Sequence, residues 1–177
     1  MPCARKLAFA PRGHAVCLPR ALATYTRGKF PLVEFNARMA LETEGKTLDR
    51  LVLTRGVQKL LTDRTLGRYF VVEDAGDIVG QLMITSEWSD WRDGHFWWIQ
   101  SVYVREDARG RGVYSLLHEH VLAQAARAGD VVGVRLYVEP DNTRAQRTYQ
   151  RLGMTKTYDV MEQSLAYSPP TPRNDAS

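Results

Sequence analysis

Cysteine is almost absent from this sequence: Cys3 and Cys17 are the only two among 177 residues. Neither has a partner ligand at zinc spacing, so no metal site is expected and both read as reduced thiols of a cytoplasmic protein. Long apolar runs are missing too. None approaches the roughly 20 residues of a membrane-spanning helix, which argues against a membrane partner. Acidic side chains are absent from the first 30 positions, which hold Arg5, Lys6, Arg12, Arg20, Arg27 and Lys29. The remainder carries 18 basic and 20 acidic residues, a net charge of −2. The overall charge of +4 therefore does not describe a basic folded surface, and nucleic acid is not an expected partner. An acid-free, arginine-containing start is a feature of organelle transit peptides, but the serine they favour is lacking.

What is present suits one domain with a sizeable core: 44% of the residues are hydrophobic. Residues 1–29 form an atypical, partly ordered segment, with Ala15 to Leu18 as its strand candidate. Residues 30–166 form the body, and 167–177 a proline-rich tail. Phe30 to Leu41 reads as a helix opened by Pro31. A second helix begins at Thr47-Leu48-Asp49, with Leu48, Leu51, Val52, Val57, Leu60 and Leu61 on its inner side. Tyr69 to Glu73 and Ile78 to Ser86 read as antiparallel strands around a tight turn containing Gly76. A loop from Glu87 to His95 follows. A buried strand is expected over Phe96 to Val104, another over Val131 to Val138, and a last one over Lys156 to Leu165.

Between Phe96 and Leu117 the chain runs from an apolar strand, through Arg109-Gly110-Arg111-Gly112, into a helix with Val113, Leu116, Leu117 and Val121 at helical spacing. Such a junction gathers backbone amides, a helix's positive end and two guanidinium groups, which suits a phosphate. The run resembles the acyl-CoA-binding signature R/Q-x-x-G-x-G/A of the GCN5-related N-acetyltransferases. Arg109 and Gly112 fill its positions, and Tyr114 stands where the family has a small residue. A second stretch, Asn142 to Met154, resembles the family's N-x-x-A-x-x-x-Y-x-K/R-x-G-F through Asn142, Ala145, Tyr149, Arg151 and Gly153.

The resemblance implies an α/β (α+β) fold: a mixed, mostly antiparallel twisted sheet of about six to seven strands, flanked by about four helices and splayed between the fourth and fifth strands. It implies acetyl-CoA as cofactor, CoA as product, and transfer of acetyl to a primary amine, small-molecule or protein-borne, through a ternary complex. A homodimer is the oligomer that the family suggests. Cofactor contacts would come from the backbone of Val102, Tyr103 and Val104, from Arg109, Gly110, Arg111, Gly112, Val113 and Tyr114, and from Asn142. Tyr149 would protonate the departing thiolate.

Four groups of residues remain open. All four tryptophans (Trp88, Trp91, Trp97 and Trp98) lie in an eleven-residue window that contains Asp90 and Asp93 and directly follows Glu87. Ring faces and carboxylates suit a cationic amine, so Trp88, Trp91 and Gln100 are candidate acceptor contacts, although sheet core accounts equally well for two tryptophans. Glu87 is the first candidate for the base; His95, His118 and His120 are chemical alternatives. Glu34, Asn36, Glu42 and Glu44 on the first helix read as a solvated face before an amine site. Arg144, Arg147 and Arg151 form a basic stripe that suits solvent or the 3′-phosphate of CoA. The competing reading is a non-catalytic acyl-CoA-binding sensor on the same fold.

Overall fold

Period-two alternation of apolar residues is the force that builds the sheet. The computed structural model describes residues 21–25 and 28–165. Five strands pair in the order β1 (Ala21–Thr24), β2 (Arg68–Asp74), β3 (Asp77–Ser89), β4 (Gly94–Val104), β5 (Val131–Leu136). The first four are antiparallel and β5 runs parallel to β4. β2 and β3 are joined by Ala75-Gly76, both left-handed at φ 52° and 91°, as a tight two-residue hairpin turn requires.

Four helices accompany the sheet: α1 (Phe30–Glu44), α2 (Arg50–Thr62), α3 (Val113–Ala128) and α4 (Thr143–Arg151). Pro31 opens α1 and Gly45, at φ 63°, closes it by returning its N–H to Ala40 and Leu41 carbonyls. Asp49 caps α2 by accepting from the Leu51 and Val52 amides. The chain packs as two compact units, Met1–Glu139 and Pro140–Ser177. α4 is the helix of the second.

In the first unit two clusters cover the two faces of the sheet. Leu117 and Val121 of α3 pack with Phe70, Val72, Leu82, Ile84, Trp97 and Ile99. Leu32 and Val33 of α1 and Val57 and Leu60 of α2 pack with Tyr69 and Val71. Leu32, Leu82 and Leu117 are fully buried, and each such side chain contributes about 1.5–3 kcal/mol. Gly80 of β3 lies directly under α3: a Cβ there would stand 2.6 Å from Val113 Cγ1.

Several expectations are corrected. Lys156 to Leu165 is exposed coil and joins no strand. Its apolar residues Tyr158, Val160, Met161 and Leu165 fall on both sides of an extended chain, so no single face could be buried. The described residues thus hold five strands, fewer than the six to seven expected. Leu51 and Val52 are exposed, because capping at Asp49 turns the first turn of α2 to solvent; the inner row is Leu53, Val57, Leu60 and Leu61. The long loop shrinks to a four-residue hairpin tip, Glu87 and Trp88 lying within β3 and His95 within β4. Ala15 to Leu18, most of the N-terminal segment and the proline-rich tail lie outside the described residues.

Candidate functional site

β4 changes character along its length. From His95 to Ile99 it pairs with β3 on one edge and β5 on the other, the last β5 partner being Leu136. Beyond Ile99 only β3 remains, so the sheet is splayed here between its fourth and fifth strands, as the resemblance implied. At that point β4 carries a bulge: Met83 faces Gln100 and Gln81 faces Tyr103, one residue more on β4 than on β3. Ser101, inside the bulge, is left-handed at φ 48°. Past it, the Arg105 amide donates to Val79 O of β3. By alternation the amides of Val104 and Val102 point the other way, to the unpaired edge.

The loop after β4 delivers the chain to α3. Gly110 and Gly112 are left-handed at φ 75° and 81°, which glycine adopts without strain. A Cβ on either would meet nothing within 4 Å. The loop therefore presents bare backbone to open space. Gly112 offers α3 no side-chain cap, and the first turn holds no acidic residue. The first helical bond at that end is Leu116 N–H to Gly112 O, so the amides of the first turn and the positive end of a 16-residue helix point outward together. This donor set fits an anionic diphosphate.

The two guanidinium groups of the loop are engaged elsewhere. Arg109 donates through Nε to Val104 O at 3.0 Å and through Nη2 to Glu42 of α1. Arg111 donates to Asp74 at 3.1 Å. Glu42 also accepts from the Tyr103 phenol at 2.9 Å. Burial pushes the Glu42 carboxyl up, but the bonds from Arg109 and Tyr103 outweigh it and hold the group below its ordinary range. Burial, then Glu42, push the Tyr103 phenol up. Any anion at this loop is thus met by main chain and helix dipole. Tyr114 is no obstruction: its phenol runs along α3 toward His118, 3.5 Å from Nδ1, and its ring packs on the core.

On the sheet face that carries α1 and α2, the pleat brings together Glu87, Phe96, Trp98, Gln100 and Arg135. Glu87 accepts from Trp98 Nε1 and, at 3.1 Å, from Arg135 Nη1. The Arg135 guanidinium lies 3.5 Å over the Phe96 ring and 5.6 Å from that of Trp98. Tyr137 stacks on Trp98 with centroids 4.4 Å apart. Gln100 donates to Thr85 at 2.7 Å. The combination of carboxylate and aromatic rings that the sequence offers to a cation is filled by the protein's own Arg135.

Other candidates are dispersed. Trp88 pairs with His95 on the opposite face, ring centroids 5.0 Å apart. Trp91 sits at the hairpin tip, 93% exposed. Trp97 belongs to the core under α3. His95 is held by Asp130 at 3.2 Å. His118 is buried, and burial pushes both it and His120 down. Glu34 bonds Arg38 and Arg50, Glu44 bonds Lys46, and Asn36 is buried. Sequence reasoning missed Trp98, Arg135 and Tyr137. Alternation from Glu87 across the hairpin could have found Trp98, whereas Arg135 needed the β4–β5 register.

In the second unit Asn142 caps α4, accepting from the Ala145 amide at 3.0 Å. Tyr149 is half-buried on that helix and burial pushes its phenol up. Arg144, Arg147 and Arg151 are exposed. Among the described residues no cluster of three or more His, Cys, Asp or Glu could hold a metal, and no helix is long and apolar enough to cross a membrane.

Residues 35–154 match the sequence profile of the acetyltransferase (GNAT) family. Over 104 residues the chain is 32% identical to mycothiol acetyltransferase of Mycolicibacterium gilvum (strain PYR-GCK), covering 56% of this chain and 31% of that protein. The chain thus spans about a third of the length of that curated relative. A possible acetyltransferase from Clostridium difficile 630 superposes with a TM-score of 0.75 at 39% identity, over 84% of this chain and 100% of that one. A "predicted acetyltransferase" with acetyl-CoA from Clostridium acetobutylicum shares the fold, with a TM-score of 0.64 at 17% identity over 77% and 89% of the two chains.

Proposed function

The chain belongs to the acetyltransferase (GNAT) family, and from that premise we propose that it moves an acetyl group from acetyl-CoA to a primary amine by direct attack in a ternary complex. The observation that carries this is the junction of β4 and α3. An uncapped helix N-terminus and two left-handed glycines facing open space lie beside the one stretch of β4 whose outer edge is unpaired. The first turn of α3 and the backbone of Gly110 to Tyr114 would hold the diphosphate. The outward groups of Val102 and the outward amide of Val104, whose carbonyl Arg109 holds, would pair with the pantetheine arm, as an added strand would. When bound, acetyl-CoA supplies an acyl group activated as a thioester.

The protein's own part is positioning and proton transfer. Glu87 is kept aimed by Trp98 and Arg135, and we assign it the amine's proton, taken directly or through a water beside Gln100 and Thr85. To Tyr149 we assign the proton for the departing thiolate. Its raised phenol stays protonated through the neutral range, against an ordinary value near 10, whereas a thiol's is about 8.5. Asn142, as the cap of α4, is assigned a supporting role at the cofactor.

One observation favours the second reading, an acyl-CoA-binding sensor: Arg135 already fills the cation-binding combination of Glu87, Phe96 and Trp98. Thermal-shift titration with acetyl-CoA followed by thiol release across a panel of amines separates the two. Turnover that falls in Tyr149→Phe supports the enzyme. Stabilisation with no turnover for any amine would leave the sensor, and absence of stabilisation would sink both.

A further inference from the structure

Four polar side chains form a buried circuit at the place where the sheet opens. Asn36 of α1, Tyr69 of β2 and Gln81 of β3 are 5%, 3% and 0% exposed. Asn36 Nδ2 donates to the Tyr69 phenol oxygen at 2.9 Å. Gln81 Nε2 donates to Asn36 Oδ1 and, at 3.3 Å, to the carbonyl of Ser101. The side chain of Ser101 in turn interacts with the Tyr69 phenol, returning the circuit to its start. Helix α1 and three adjacent strands are thereby joined through one residue, and that residue is the left-handed Ser101 of the β4 bulge.

Stability alone does not account for this arrangement. Gln81 Oε1 is buried with no hydrogen-bond partner among the described residues, an uncompensated desolvation cost that an apolar side chain of the same length would avoid. The conformation at Ser101 is one that a non-glycine residue holds only when its surroundings over-determine it. The circuit supplies those surroundings, bonding both the carbonyl and the side chain of Ser101. What the bulge controls is the direction of the next three residues, Val102 to Val104, which have no strand partner on the β5 side and whose one outward group already held is Val104 O, by Arg109 Nε.

We propose that Asn36, Tyr69, Gln81 and Ser101 are positioning residues: their circuit ties α1 to the β4 bulge and sets the open edge of Val102–Val104 at the angle that an added extended ligand requires. This rests on the acetyl-CoA reading. It predicts that the circuit acts on the pantetheine arm and leaves the diphosphate seat at α3 alone.

The test compares two ligands of the full chain by calorimetry: acetyl-CoA, which would use both surfaces, and adenosine 3′,5′-bisphosphate, which would use only the loop and helix end. Tyr69→Phe and Gln81→Met should weaken acetyl-CoA by about tenfold, the scale of one lost hydrogen bond with some loss of alignment. The bisphosphate should stay within about twofold. Ser101→Gly, which keeps the left-handed backbone, should lose less than Ser101→Val, whose branched side chain cannot adopt it. Parallel loss of both ligands would reduce the circuit to a stability element, and unchanged acetyl-CoA affinity in Tyr69→Phe and Gln81→Met would overturn the proposal. Should Gln81→Met fail to fold, Tyr69→Phe alone gives the same comparison by removing only a hydroxyl group. Failure of the parent chain to bind acetyl-CoA is a different result: it removes the family reading for this site, and this inference with it.

Discussion

The two halves of β4 were built for different ends. From His95 to Ile99 the strand has partners on both edges, Trp97 and Ile99 pack into the α3 core, and the backbone is saturated by its neighbours. From Gln100 to Val104 one edge is open, a bulge redirects the chain, and side chains from α1 hold what β5 does not. The first half is stabilised by burial, the second by polar connections whose net contribution is small. A strand can therefore anchor a core at one end and offer main-chain hydrogen bonds at the other.

The sharpest way to break the contrast is to damage each half separately. Trp97→Ala should cost about 3–5 kcal/mol of stability through lost contacts and a cavity, with the acetyl-CoA affinity of the folded protein unchanged. Denaturant unfolding beside calorimetry checks it, and a matching loss of affinity would show the halves to be coupled. Gly112→Glu should do the reverse. A carboxylate and a Cβ at a left-handed position beside the helix end should weaken acetyl-CoA by about 100-fold; retained binding would move the anion seat elsewhere.

Smaller effects sharpen the boundary. Arg135→Met removes the guanidinium that aims Glu87, and should lower kcat about fivefold to tenfold at constant acetyl-CoA affinity. An unchanged kcat would place the proton transfer away from this cluster. Below α3, the imidazole of His118 is pushed down by burial, so the unfolded chain binds the proton more readily. Its contribution to stability is complete above about pH 6.5 and is lost as pH falls through the lowered native value. Tm between pH 8 and pH 5 should decline less steeply in His118→Gln, His120 retaining its own share; identical slopes would count against burial as the cause. Trp91→Ala, at the hairpin tip, should change stability by no more than about 0.5 kcal/mol and the acceptor KM by no more than about twofold. A larger KM change would bring the tip into the acceptor site.

The legible parts of the molecule were those in which neighbours in sequence are neighbours in space. β4 into α3, with Gly110 and Gly112 between them, could be read because strand, turn and helix each leave a local signature. Side-chain roles decided across strands were not legible. Which tryptophans share a face with Glu87 depends on the length of the β3–β4 hairpin, where a shift of one residue exchanges Trp97 for Trp98. The hold of Glu42 on Arg109 spans α1 to the loop and leaves no local trace. Leu51 and Val52 misled because a helix that starts at Arg50 turns its first apolar pair to solvent, and Lys156 to Leu165 misled because β-branched residues alone do not make a strand.

Gly80 gives the architecture its gauge. Because a Cβ there would sit 2.6 Å from Val113 Cγ1, where ordinary contact needs about 3.5–4 Å, even alanine would force Val113, at the start of α3, to give way. Gly80 is also the β3 partner of Val104. A single missing methyl group therefore calibrates the gap between the outward end of the helix and the open strand edge. The two surfaces that we propose for one extended cofactor keep their spacing through a residue that is part of neither.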